Sequence, residues 1–303
     1  MNEKISPLSL PKDYALGMKK QPKYKWYKPI LAALLAIVFY AVFIFVVTLG
    51  ITLLSILLGD ASVYQSLMSS GSGDNYMGFD GDNAGMLAIS FLGIAVAIPA
   101  IGLAVKICGI GGFGSLTSVE NKMRWKRIGA IFPVALLVSV CFIVVEVVLS
   151  LALGEDVGEL RFPVIAIVVI VICCPLQCAA EEYMCRGFLM QAFSSWIPIV
   201  VIPMILQALV FTVLHGYDAL GLVSILVTGL ITGYLTLKTG GLEAGICLHV
   251  ANNVPAFILS AILVEQQIST SVDPISFAID LTMNIIFLVV IYAVCKRKGY
   301  LIG

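Results

Sequence analysis

Residues 178–187 read CAAEEYMCRG, which places Glu181, Glu182 and Arg186 within a few residues of one another. From Phe162 to Ala180 there is no charged residue, and from Gly187 to Tyr217 there is none either. The surrounding chain is as apolar as lipid. Three ionisable groups in such a run decide the reading, because each must find a partner or a cavity.

Composition agrees. The hydrophobic fraction is 60% and the charged fraction 12%, the latter about half the usual globular share. About 20 apolar residues cross a bilayer. Candidate spans cover 29–58, 86–108, 128–153, 162–194, 197–215, 219–237, 242–263 and 276–295. The expected fold is all-α, a polytopic membrane bundle of about eight helices. The run from Pro29 is far too long for a signal-peptide core and reads as an uncleaved span. The 162–194 segment is long for one span, and Pro175 is a candidate kink. Asp60 to about Gly85 is rich in Ser, Gly and Asp and reads as a loop.

Charge sets the expected orientation. Lys4, Lys12, Lys19, Lys20, Lys23, Lys25 and Lys28 precede the first span. Lys106, Lys122, Arg124, Lys126 and Arg127 surround the second connection, and Lys296, Arg297 and Lys298 follow the last span. Arg186 and Lys238 fall near inner connections, and Arg161 alone lands on the other side. The opposite loops carry Asp60, Asp74, Asp80, Asp82, Glu155, Asp156, Glu159, Glu265 and Asp273. The positive-inside rule puts both termini in the cytoplasm, with an even number of spans. Formal net charge is zero, so nucleic-acid binding has no electrostatic support.

All eight cysteines lie in apolar segments or at their ends, which argues against a disulfide framework. Cys173, Cys174 and Cys178 read as packing residues in preference to a metal site. Thr117-Ser-Val-Glu120 has capping-box spacing and points to an interfacial helix or a solvated loop. Gly229 and Gly233 form a GxxxG pair that favours close helix packing. Asp80-Gly-Asp82 resembles a calcium loop only faintly, since the other ligands are missing. Glu146 and Asp280 read as structural carboxyls.

In a helix, Glu182 and Arg186 share a face at i,i+4 and can pair, which makes burial of both tolerable. Glu181 is rotated by about 100° from Glu182 and is left to point elsewhere, as a general base would. The chain has two histidines. His215 ends Phe211-Thr-Val-Leu-His215 and His249 begins His249-Val-Ala-Asn-Asn253, so Phe211 and Asn253 each share a helical face with a histidine. A glutamate and a histidine can deprotonate a water, and a histidine with an asparagine can stabilise an oxyanion. Covalent catalysis through Cys185 is the weaker alternative. Two histidines and a glutamate also make a zinc set, but HExxH is absent; a site without cofactor is favoured and zinc is left open.

The ordered motifs Glu181-Glu182-Tyr-Met-Cys-Arg186, Phe211-Thr-Val-Leu-His215 and His249-Val-Ala-Asn-Asn253 resemble those of the CPBP family, which comprises CAAX prenyl protease 2 and bacterial Abi-type relatives. The resemblance covers about 160–265. It implies an intramembrane glutamyl-type endopeptidase, a class often called metalloendopeptidases. Glu181 and His215 would activate the water. His249 and Asn253 would hold the oxyanion, and Glu182 and Arg186, with Phe211, would support the site. Expected partners are a peptide or protein substrate and membrane lipid, in a bacterial cell membrane. The expected division is a basic segment (1–28), three helices (29–160), a catalytic core (161–265) and a last helix with a basic end (266–303). The rival readings are a non-catalytic scaffold or bacteriocin self-immunity factor, and a transporter, which the lack of an inverted repeat disfavours. One geometric demand follows. Simple alternation puts Glu181 near the inner end of its span and His215 near the outer end of the next, yet the two must meet.

Overall fold

The computed structural model describes residues 10–69, 83–154, 158–263 and 271–302. Lys4, Asp74, Asp80, Asp82, Glu155, Asp156 and Glu265, and with them the calcium-like stretch, lie outside the described residues. The helices are α1 (Lys28–Leu57), α2 (Ser62–Ser69), α3 (Ala84–Ala95), α4 (Ala97–Cys108), α5 (Phe113–Thr117) and α6 (Trp125–Ala152). They continue with α7 (Val164–Glu182), a π segment (Tyr183–Leu189), α8 (Met190–Trp196), α9 (Val201–Val213), α10 (Ala219–Thr239), α11 (Glu243–Ile262) and α12 (Pro274–Arg297). Among the described residues there is no strand, and two isolated bridges, Ser118 to Gly241 and Leu160 to Leu263, tie loops together.

Among the described residues seven helical stretches are long and apolar enough to cross a membrane, and the protein is an integral membrane helical bundle. The eighth expected span, 197–215, is the 13-residue α9, only about 20 Å long. The proposed loop from Asp60 contains α2. Pro175 sits inside continuous α-helix, and the irregularity falls later, at the π segment. No helix opens at Thr117: α5 ends there and α6 starts at Trp125. Glu120 lies 3.7 Å from both Arg124 and Arg127 instead of capping a helix.

The basic segments gather at one end of the bundle. The Tyr14 hydroxyl donates to the Leu116 carbonyl, Lys28 Nζ to that of Cys108 at 2.8 Å, and Trp196 Nε1 to that of Trp26 at 2.8 Å. Arg127 donates to the carbonyl of Tyr300 at 3.0 Å. Arg124 grips Glu243 through Nε at 2.7 Å and Nη2 at 2.5 Å, with both side chains buried. This bidentate pair fixes the start of α6 against the start of α11, a geometry that guanidinium favours.

Around α7 stand α3 and α11, while α10 packs on α9 and α12. The GxxxG stripe serves the α9–α10 crossing. A Cβ on Gly229 would sit 3.1 Å from the Ala208 Cβ and 3.5 Å from Arg186 Nη2, so that glycine admits the arginine as well as the neighbouring helix.

At the opposite end of α10, Asp218 caps the helix through the Gly221 amide at 2.9 Å and also accepts from the Val272 amide at 2.9 Å. These two amides, Gly221 first, hold its carboxyl below the usual carboxylate range. With the folded-state value depressed, the stabilisation is present above the unfolded value of about 3.9 and is lost as pH falls through the folded one. We expect Asp218→Ala to lower Tm at pH 7 and to match the native chain near pH 2 by thermal unfolding in detergent; a gap that persists at pH 2 would contradict this.

Candidate active site

Two helical segments run antiparallel to build the site. From Glu182 to Trp196 is 14 residues, and from Val201 to His215 is also 14, each about 20 Å in helical form. The hairpin at 197–200 therefore returns Phe211 and His215 to the level of Glu182. The 33-residue stretch Val164–Trp196, about 50 Å long, exceeds a bilayer and lets Glu182 sit well inside it. Among the described residues His215 reaches the glutamate cluster through Phe211 and not by a direct contact with Glu181. On α11, His249 lies six residues past Glu243, about 9 Å along the helix.

Glu182 and Arg186 are both fully buried, and Arg186 Nη1 donates to Glu182 Oε1 at 2.9 Å. The pair straddles the change from α to π geometry, and such insertions cluster at functional sites. The Arg186 guanidinium also lies over the Phe211 ring, 4.3 Å from its centroid. That contact matters because Nε and Nη2 make no hydrogen bond to a described residue, and a ring face is an attractive neighbour for a desolvated cation.

Glu182 Oε1 is shared. His249 Nδ1 lies 3.1 Å away; the carboxylate can only accept, so Nδ1–H donates. In the neutral ring this leaves Nε2 as an acceptor, 3.5 Å from Glu181 Oε2. His249 therefore stands between the two glutamates. The approach of α11 depends on Gly245, where a Cβ would come 2.6 Å from Glu182 Oε2.

Glu181 has no arginine. Its Oε1 accepts from Gln177 Nε2, one turn earlier on α7, while Oε2 accepts no hydrogen bond from a described residue. Phe211 joins the histidines, with its ring centroid 4.7 Å from that of His215 and 5.9 Å from that of His249. His215 Nδ1 donates to the Phe211 carbonyl at 2.7 Å, which leaves its Nε2 unengaged by that bond. Asn253 is half-buried one turn beyond His249, and its Oδ1 accepts from Asn252 Nδ2 at 3.2 Å.

Thus Glu181, Glu182, Arg186, Phe211 and His249 form one contiguous cluster, His215 borders it through Phe211, and Asn253 follows His249 on α11. Cys185 is fully buried. The motif pattern points to neither Gln177 nor Gly245. Gln177 did carry a signal, being the one amide in 162–180 and i−4 to Glu181. Gly245 carried none, since its role depends on how α11 meets α7. The side chains present do not fit a resident zinc. Of Glu181, His215 and His249, His215 borders the other two only through Phe211, and among the described residues no group of three or more His, Cys, Asp and Glu could hold a metal ion.

Comparison with known proteins adds independent weight. Residues 161–255 match one family model, type II CAAX prenyl endopeptidase Rce1-like. That segment contains all three motifs. The chain is also 30% identical over 172 residues, 52% of its length, to the uncharacterized protein YyaK of Bacillus subtilis (strain 168). It covers 56% of that relative, about half its length. No solved structure matches.

Removing one member of a buried ion pair strands the other, at a cost of about 3–5 kcal/mol. Glu182→Ala should therefore lower stability by that order and release His249. Replacing both partners, as Glu182→Leu with Arg186→Met, should recover much of the loss. Chemical unfolding in detergent measures both. Equal stability of the single and double variants would show that the pairing contributes little.

Proposed function

We propose that this chain is an intramembrane endopeptidase that hydrolyses peptide bonds of membrane-associated peptides or CAAX-like protein C-termini with a water activated by Glu181. The observation that carries the reading is the approach of two buried acceptors, Glu181 Oε2 and His249 Nε2, at 3.5 Å. Two acceptors this close favour a donor that both can reach. The gap is too short to hold a water on the line between them, but a water beside the pair can donate one O–H to each.

Glu181 takes one proton of that water as general base, and the oxygen adds to the scissile carbonyl. The tetrahedral intermediate expels the amine, which receives the proton held by Glu181. Glu182 fixes the His249 tautomer by accepting from Nδ1–H, and Arg186 compensates the charge of Glu182. The motif resemblance gives the water-sharing role to His215; the 3.5 Å approach supports His249 for it. Asn253, half-buried, is then the candidate donor for the developing oxyanion, and His215, whose Nδ1–H is given to the Phe211 carbonyl, can join it through Nε2–H only as the imidazolium. The Asn252 contact engages Asn253 through its oxygen, which leaves the Nδ2 donors for substrate.

The same geometry weighs against a purely structural core. A scaffold gains nothing from a carboxylate oxygen without a hydrogen-bond donor beside a histidine, since an unsatisfied buried acceptor costs stability.

Glu181→Gln keeps shape and removes the base. In proteoliposomes with a fluorescence-quenched farnesylated CAAX peptide, we expect turnover to fall at least about 100-fold, the range for losing a general base, with Tm nearly unchanged. Full turnover by Glu181→Gln would refute the proposal. His249→Ala and His215→Ala should each lower kcat, and His249→Ala more so.

A further inference from the structure

Gln177 is buried at 7% exposure on α7, one turn before Glu181. Its Nε2–H donates to Glu181 Oε1. Its Oε1 faces two thiols, Cys178 Sγ at 3.5 Å and Cys174 Sγ at 3.9 Å, and both S–H groups can donate to it. The amide orientation is therefore determined by chemistry. Turned over, its carbonyl would meet a carboxylate oxygen, and its NH2 would face weakly accepting sulfurs.

We infer that Gln177 is a positioning residue for the reaction: its N–H engages one oxygen of Glu181 and so directs the other, Oε2, toward His249 Nε2 and the water the two share. A carboxylate on a two-carbon stem in an apolar setting has several rotamers available, and two acceptors at 3.5 Å disfavour the productive one. The N–H donor offsets that repulsion from the far side. The thiols hold the amide in turn, so the face Cys174, Gln177, Cys178, Glu181 acts as a relay of orientation along one side of α7. This gives the cysteine cluster a role through hydrogen bonding, with no metal or disulfide required.

The inference rests on Glu181 acting as the base, and the test separates the two ideas. Purified full-length chain in liposomes is compared as native protein, Gln177→Leu, Cys178→Ala and Glu181→Gln. The infrared carboxylate band of Glu181 is the one lost in Glu181→Gln. We expect it to move in Gln177→Leu, which removes the donor, and to move less in Cys178→Ala, which spares the N–H and removes one of the two thiols that orient the amide. On the farnesylated CAAX probe, kcat of Gln177→Leu should fall about tenfold or more, the scale of a lost charge-assisted hydrogen bond, with KM within about twofold. Should Gln177→Leu fail to fold, Gln177→Met supplies the same comparison with a more adaptable side chain. An unmoved Glu181 band in the folded variant overturns the inference, whatever the activity. Full turnover by Glu181→Gln overturns the proposed function instead and leaves the hydrogen bond to be judged from the band alone.

Discussion

The buried ion pair of Glu182 and Arg186 is the constraint from which the centre of this protein follows. A carboxylate and a guanidinium with no solvent exposure cannot be left alone in hydrocarbon, where each would carry a penalty of several kcal/mol. They meet at i,i+4 on one helix, which makes the pairing local and independent of loop closure. The remaining faces of both groups then dictate what must pack against them. Phe211 offers a ring to the cation, Gly229 yields space beside Nη2, and Gly245 lets α11 come close enough for His249 to reach Glu182. Three helices are thereby drawn to one short stretch of α7 and its π extension.

That extension has a mechanical consequence. A straight α-helix of ordinary span length would have ended near Glu182 and left the pair at the membrane boundary. Here the helix continues through the π segment to Trp196, whose indole is anchored on the N-terminal segment. The chain then turns at once and descends as α9. Equal lengths on the two sides of that turn bring Phe211 and His215 level with Glu182. The shortness of α9 is thus part of the architecture of the site, and residues 214–218 complete the passage to Asp218, which is tied to Val272 at the far end of the bundle.

Within the cluster, the two glutamates differ by environment alone. Glu182 is held by a cation and an imidazole N–H. Glu181 is held on one oxygen by an amide and faces a ring nitrogen with the other. Chemically identical neighbours in sequence thus acquire different duties, one structural and one, on our proposal, catalytic. The Rce1-like match over 161–255 falls on the part of the chain where these contacts are made, while α1, α3, α4, α6 and α12 enclose it.

Much of this was legible from residues alone. Apolar run length specified the membrane bundle, since bilayer thickness leaves few alternatives, and helical phase separated Glu182, paired with Arg186, from Glu181. The GxxxG spacing marked a close helix packing, and the structure supplies α9 as the partner. Depth was not legible: counting spans treats each apolar run as a full crossing, and neither the 13-residue α9 nor the π segment is visible in hydropathy. Of the two readings at Thr117, an interfacial helix or a loop, the structure shows the loop, and the Arg124–Glu243 pair and the Ser118–Gly241 bridge decide where it ends. Which histidine approaches Glu181 depends on how α7 and α11 are juxtaposed through Gly245, a contact between segments more than sixty residues apart. Sequence by itself determined the membrane fold, the local ion pair and the identity of the polar residues, because all three follow from composition and a 3.6-residue period. Only the tertiary structure decided that His249 lies between the two glutamates and that Gln177 reaches Glu181, because side-chain partners within and between helices depend on rotation, depth and close approach that no local period encodes.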